Sequence, residues 1–585
     1  MNFEFAKGSR SRILAVGLLA ITVLFVGRLF YVQIIRHDYY QNLADQEQIK
    51  RLTIPAQRGL IYAMDGSTPV PLVMNDSVYT MFADPTTVTD IPGVIKEIDQ
   101  VVGASNAQPN LDSLMREKNS RYEVLAKNLT TDQAEAIKKK DFAGIGFQQQ
   151  SQRTYPEGAL AAQVLGFVDS SGNGEYGVEG ELNTQLKGKD GLLQSVTDVS
   201  DVPLTIGKHN ISKPAINGTN EVLTIDRNIQ SYAEQALAQG LKASANATDG
   251  SVLVMDPENG HVLAMANLPS FDPSHYGDAS SLADFNNPII SDPYEPGSDV
   301  KTLTMATGVD KGVVTPDTTY NNTGSINVDG VNVSNAEGDK EFGDITLQTA
   351  LNFSLNTGFI TVAEKLGDGQ NITKQARDTM YDYFYNKFKL GQVTGIQLAG
   401  ETPGIVISPE SVQGNAVRYS NMSFGQGLDV TMIQVASAFN SLINGGNYFK
   451  PTILAGTIDS NGNFQPAKQG GSVTSVKATT SATLRTMIHA ARQSVASIAA
   501  KDKPGYYIGG KTGTSQQVVN GTYSDKLTTA TYLGFGGTKE TSKYVIMVRV
   551  TGPNFSGSGA QDAIPIFTNI SNWLLGYLNV PPENS

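Results

Sequence analysis

The sequence contains no cysteine. That excludes a thiol nucleophile, a cysteine-based zinc site and any disulfide. Histidine is scarce, with five in 585 residues, at 37, 209, 261, 275 and 489. None pairs with another at metal-ligand spacing, and there is no HExxH. Charged residues make up 17%, below the usual quarter, while Gly is plentiful at 58. With 40% hydrophobic residues, this is the composition of a folded, loop-rich protein large enough for two to four domains. The net charge of -12 argues against binding phosphate backbones as the main task. No internal repeat and no long low-complexity run is present.

One long apolar run stands near the start, Ile13 to Ile35. As a helix it would span roughly 34 Å, enough for a bilayer core with some tilt. Lys7, Arg10 and Arg12 precede it, opposed only by Glu4. The positive-inside rule keeps residues 1–12 in the cytoplasm and places the chain after about residue 36 outside. The run is long for a cleaved signal peptide, and no small-x-small site follows, so an uncleaved anchor is expected. Arg28, inside the run, either snorkels to the outer interface or meets a polytopic partner.

Residues 37–57 read as a polar helical stalk, and 130–140 as a helix. Between 58 and 210, short strands alternate with Gly/Asn/Asp turns. The turn-rich stretch 205–219 is a plausible boundary. VLTIDRNIQSYAEQALAQGLKA then reads as a strand entering an amphipathic helix. SVLVMDPENGHVLAMAN reads as two strands around a Pro257–Gly260 turn. TYLGFGG and KYVIMVRVTG are two further strands, followed by a closing helix. Strands at both ends with helices between predict an α+β fold whose terminal strands meet in one antiparallel sheet.

Three short elements carry chemistry. Ser298-Asp299-Val300-Lys301 follows a Pro-Gly turn and opens a helix-like stretch. The i, i+3 spacing puts hydroxyl and amine on one face, and the positive helix end favours an alkoxide over an ammonium. Such a lysine can act as base for its serine. Taken alone, the serine could equally be a helix cap. Ser354-Leu355-Asn356 breaks two helical stretches and can turn a hydroxyl and an amide into a cleft. Lys511-Thr512-Gly513-Thr514 lies on a strand whose small residues allow a substrate backbone to approach. Residues 505–512, GYYIGGKT, formally match a phosphate loop. Bulky, β-like residues at 506–508 and the absence of a following βαβ unit argue against that.

The order Ser-x-x-Lys, Ser-x-Asn, Lys-Thr-Gly is far more specific than any one element. From about residue 50 to 578 the chain resembles the class B penicillin-binding proteins, the monofunctional D,D-transpeptidases of bacterial walls. RGLIYAMDG, YPEGALAAQVLGFVDSSGNGEYGVEGELNTQLKGKDG, LTIDRNIQ, DPENGHVLAMANLPSFDP and SFGQGLDVTMIQVASAFNSLINGGNYFKP carry the likeness outside the three motifs. It is closest to the cell-division type, with elongation-type relatives similar. The resemblance implies a non-catalytic pedestal or dimerisation-like domain at 36–215 and a transpeptidase domain at 216–580. It implies Ser298 as nucleophile on a D-Ala-D-Ala stem peptide and Lys301, kept neutral beside Lys511, as base. Ser354 would relay a proton, and Asn356 would orient Lys301 and the donor amide. Lys511, Thr512, Gly513 and Thr514 would line the substrate strand, with the N–H groups of Ser298 and Thr514 as the oxyanion hole. No metal or organic cofactor is implied. Implied partners are stem peptides, β-lactams as inhibitors and a polytopic glycan polymerase of the SEDS type. Family members usually have Thr-Phe where this chain has Asp299-Val300, and a small residue where it has Leu355. Asp299 either complements the helix dipole or raises the pKa of Lys301 and slows acylation. The second outcome would leave a catalytically weak or inactive scaffold.

Overall fold

The computed structural model describes residues 10–40, 49–103, 106–196, 211–336, 342–519 and 522–583. The chain divides into two compact units, Met1–Gln57 with Gly188–Gly218, and Arg58–Lys187 with Thr219–Ser585. By compactness, the stretch 36–215 is therefore shared between both.

The first unit begins with the helix Arg10–Phe30, which continues as a π-helical turn, Tyr31–Ile35. Arg12–Ile35, 24 residues with a mean hydropathy of 2.4, is long and apolar enough to cross a membrane. Its large apolar side chains are exposed, as an anchor requires. Arg28 sets its guanidinium 5.6 Å from the centre of the Tyr31 ring. The expected polar helical stalk is only partly present. Residues 37–40 are helical, and 41–48 lie outside the described residues. Ile49–Ile54 is a strand, paired antiparallel with Gly191–Val196, which in turn pairs with Ile211–Lys213. The β-branched Ile49, Thr53 and Ile54 suit a strand better than a solvated helix, and the distant partner decides the matter. Ala56 N donates to Asp190 Oδ1 at 2.8 Å and Gln57 N to Asn217 Oδ1 at 3.0 Å, closing this unit.

The second unit holds two large sheets. In the first, β1 (Ile61–Asp65), β2 (Thr68–Ala83), β3 (Glu123–Leu129) and β4 (Ile145–Thr154) form an antiparallel array, with both β3 and β4 pairing β2. Strand β5 (Asn220–Asp226) joins it, parallel to β1. The sequence places β5 at the opening of the second domain, and it feeds α1 (Arg227–Ala243). Asp226 caps α1 by accepting from the N–H groups of Asn228 and Ile229. The segment after β4 is fastened by Glu179. This fully buried carboxylate takes Arg58 at 2.5 Å and Arg153 at 2.7 Å.

The second sheet contains β6 (Asp249–Met255), β7 (Val262–Leu268) and, from the far end of the chain, β10 (Tyr507–Val519), β11 (Thr522–Gly537) and β12 (Ser542–Thr551), while β8 (Thr319–Asn322) and β9 (Gly343–Thr346) between them in sequence form a separate antiparallel pair. The spatial order is β7-β6-β12-β11-β10, all antiparallel. The α+β expectation, with terminal strands meeting in one sheet, holds. Alternation in β6 and β12 sends side chains to two cores. Val252, Val254, Ile546 and Val548 pack with α1 and the closing helix, Ile564–Tyr577. Leu253, Met255, Val545 and Met547 pack with the central helices. Those include α2 (Lys301–Asp310), α3 (Leu347–Phe353), α4 (Asn356–Lys365), Met432–Ile443 and Ala478–Gln493.

Removing Glu179 would leave two arginines facing each other in a dry site. Glu179→Ala should cost about 3–5 kcal/mol in chemical or thermal unfolding. A loss below about 1 kcal/mol would mean that water reaches the pair.

Candidate active site

Ser298 lies in a 3-10 turn, Gly297–Val300, that runs directly into α2. Two close approaches hold this turn. Gly297 has φ +58°, and a Cβ there would sit 3.1 Å from the Thr514 carbonyl on β10. On the other side, Gly297 N donates to Gly425 O at 3.0 Å. Gly425, at φ +94°, is pressed against the Gly297 carbonyl so tightly that a Cβ would fall 1.8 Å from it. The turn is thus clamped between a strand and a glycine loop.

Lys301, one turn on, is 1% exposed. Its Nζ donates to Ser354 O at 2.5 Å and to Ser354 Oγ at 3.1 Å. Ser354 occupies the break between α3 and α4 in the left-handed conformation, φ +60°, which turns both oxygens inward. Lys511, 3% exposed on β10, donates to the same Ser354 Oγ at 2.9 Å and to Thr512 O at 3.0 Å. One hydroxyl therefore bridges two lysines brought together from sites far apart in sequence. As both amines occupy its lone pairs, the Ser354 proton is left to be donated. Ser354 is not the cap of α4, whose N-cap position is Leu355, without a side-chain cap bond.

The remaining expected residues are placed as follows. Thr512 offers its carbonyl and Oγ1 to Lys511. Gly513 lies where β10 crosses the Ser298 turn, and a Cβ there would meet Pro296 O at 2.8 Å. Thr514 is exposed, and its Oγ1 accepts from Gly559 N at 3.2 Å. Asn356, expected to orient Lys301, instead directs Nδ2 to the Ser334 carbonyl at 2.9 Å. Asp299 is fully buried and turned away from the mouth, accepting from Thr531 Oγ1 at 2.7 Å. Burial pushes this carboxyl up, opposed by the Thr531 hydrogen bond and the charge of Lys511. Burial likewise pushes the Lys511 amine down, opposed by the charge of Asp299. Asp299 is thus coupled to the strand lysine, not simply to the helix dipole.

Sequence reasoning missed Thr531, which has no local signature on β11. It also missed Glu295, whose Oε1 accepts from Gly427 N at 2.6 Å and from Tyr523 at 2.7 Å, tying the glycine loop to β11. The glycine pair in SFGQG was the available signal. Among the described residues, no group of three or more acids and histidines is placed to hold a metal ion. A cavity of about 1140 Å³ lies elsewhere, lined by Asp226, His261, Lys450 and neighbours, and contains none of the motif residues.

Comparison with known proteins agrees with this geometry. Residues 250–572 match the penicillin binding protein transpeptidase domain, and residues 53–223 match the penicillin-binding protein dimerisation domain. The chain is 32% identical over 496 residues to penicillin-binding protein PbpB of Mycobacterium tuberculosis, covering 82% of this chain and 70% of that protein. It is 28% identical over 589 residues to the peptidoglycan D,D-transpeptidase FtsI of Escherichia coli, covering 97% and 91%. The crystal structure of penicillin binding protein 3 from Mycobacterium tuberculosis, complexed with aztreonam, superposes with a TM-score of 0.67 at 27% identity, covering 91% of this chain and 98% of that one. Fold, motif order and relatives therefore converge: the chain belongs to the class B penicillin-binding proteins and is a peptidoglycan D,D-transpeptidase of cell-wall synthesis.

Proposed function

We propose that the reaction runs through an acyl-enzyme on Ser298. The observation that carries this reading is the Ser354 hydroxyl held between Lys301 and Lys511, one turn of helix from Ser298. Lys301, in its neutral form, takes the Ser298 proton as the hydroxyl attacks the penultimate carbonyl of a D-Ala-D-Ala stem peptide. The N–H groups of Ser298 and Thr514 receive the oxyanion, an interaction worth about 3–4 kcal/mol per donor. The proton passes through Ser354 to the leaving amine, and the terminal D-Ala departs. The amine of a second stem peptide then attacks the ester. The new peptide bond forms, and the Ser298 hydroxyl is regenerated.

Lys511 and Thr514 bind the terminal carboxylate of the donor, with Thr512 fixing the lysine and Gly513 letting this strand close against the Ser298 turn. Asn356 borders the donor from α4. The transpeptidase domain is 216–580 and the pedestal 36–215. β-Lactams acylate the same serine. The basic residues before the apolar helix put the N-terminus in the cytoplasm and the site outside, where a SEDS-type polymerase is the partner expected in the membrane.

Ser298→Ala should remove covalent labelling by a fluorescent penicillin with no change in melting temperature. Persistent labelling would reassign the nucleophile. Lys301→Ala should slow acylation by about 10²–10⁴-fold. An unchanged rate would remove Lys301 as the base. External protease applied to intact spheroplasts should release nearly the whole chain after residue 36. Protection of that region would reverse the topology.

A further inference from the structure

Asp299, within the Ser298 turn, is buried completely. Its surroundings explain why it matters. It projects from the Ser298 turn against the inner face of β10, where a Cβ on Gly513 would lie 3.0 Å from Oδ2. Lys511 stands two residues before Gly513, on the same face of the strand. Thr531, opposite Gly513 on β11, fixes Oδ2 at 2.7 Å. Beyond Thr531 in the same cross-strand row comes Arg549 of β12. Arg549 pairs with Asp292 at 2.7 Å and sets its guanidinium 5.2 Å from the Tyr294 ring centre. Asp299 Oδ1, Tyr294 Oη and Arg549 Nε are all buried without a hydrogen-bond partner among the described residues.

We propose that Asp299 is a positioning residue that acts as the internal counter-charge of Lys511, holding the strand lysine protonated so that it can grip the carboxylate of the substrate. This rests on the serine reading above for the role of Lys511, though not for the placement of the two charges. The groups facing Asp299 are Lys511 on β10, Thr531 on β11, Arg549 on β12 and Tyr294 in the loop before the turn, and Lys511 itself faces Lys301 of α2 across the shared Ser354 hydroxyl. Tyr294 stays neutral, because burial pushes its hydroxyl far up. Arg549 already has Asp292, which is largely exposed, as its own partner. Among the described residues, the acceptors of Lys511 are the neutral oxygens of Ser354 and Thr512, so the Asp299 carboxylate is the charge that favours its protonated form.

The sign follows directly. An opposite charge raises the pKa of an amine, so neutralising Asp299 lets Lys511 lose its proton at lower pH. Binding of a substrate carboxylate needs that proton. The alkaline limb of acylation should therefore move to lower pH when Asp299 is neutral. Asp299→Asn keeps an acceptor for Thr531 and removes only the charge. Asp299→Thr serves where the asparagine variant folds poorly.

The test uses the full-length protein in detergent, labelled with [ε-13C]lysine, with the Lys511 signal identified by its loss in Lys511→Arg. Its titration midpoint should fall by about one pH unit in Asp299→Asn, the scale set by a single nearby charge. The alkaline limb of labelling by fluorescent penicillin should shift in step, while melting temperature at neutral pH stays unchanged or rises. An unchanged midpoint overturns the proposal. A shifted midpoint with superimposable acylation profiles also overturns it, since Asp299 would then have no part in the reaction. If Ser298→Ala still takes label, the nucleophile assignment fails, and the Lys511 midpoint still judges the counter-charge.

Discussion

Backbone pairing between β6 and β12 is the constraint on which the site depends. It joins Asp249 to Thr551 and Met255 to Val545, closing the C-terminal hairpin onto a strand from before the central helices. Once β12 is fixed, β11 and β10 follow in register, and Lys511 is delivered to the mouth of α2. Both faces of this sheet are buried, so a slip of one residue would exchange the two cores and is strongly opposed. The position of the Lys511 amine is thus set by the apolar pairing and packing of three strands.

The site gathers polar groups where water is scarce. Two lysines and an aspartate are almost wholly buried within one constellation. Burial pushes the Asp299 carboxyl up and the Lys511 amine down. The mutual charge of Asp299 and Lys511 opposes this, and the three side chains find hydroxyl and carbonyl partners in Ser354, Thr512 and Thr531. An amine whose protonation is finely balanced is what general-base chemistry and carboxylate binding both require. The close contacts that exclude water exist because Gly297, Gly425 and Gly513 carry no side chain. Any Cβ at these points would push the strand away from the serine turn.

Away from the site, the strand Asn220–Asp226 shows how local reading and global assembly diverge. Its residues specify a strand and a capped helix, and both are present. Its neighbours are β1, from the beginning of the second unit, and Leu454–Ile458, from beyond the helices. Ion pairing of Glu179 with Arg58 and Arg153 gives that N-terminal region a fixed junction of its own. Elements separated by more than a hundred residues are therefore folded as one compact body with the transpeptidase sheet.

By itself the sequence determined the element types, the apolar N-terminal helix, the terminal sheet and the three motifs. All of these rest on local periodicity, turn residues and spacing, which a single chain displays openly. It misjudged the segment 49–54, because strand or helix there was decided by a partner more than a hundred residues away. Only the tertiary structure decided that Ser354 bridges Lys301 and Lys511, that Asn356 turns to Ser334, and that Asp299 faces β10 and Thr531. Those outcomes depend on the direction of side chains and on cross-strand register. Direction and register arise from long-range pairing and burial, and no window of neighbouring residues contains them.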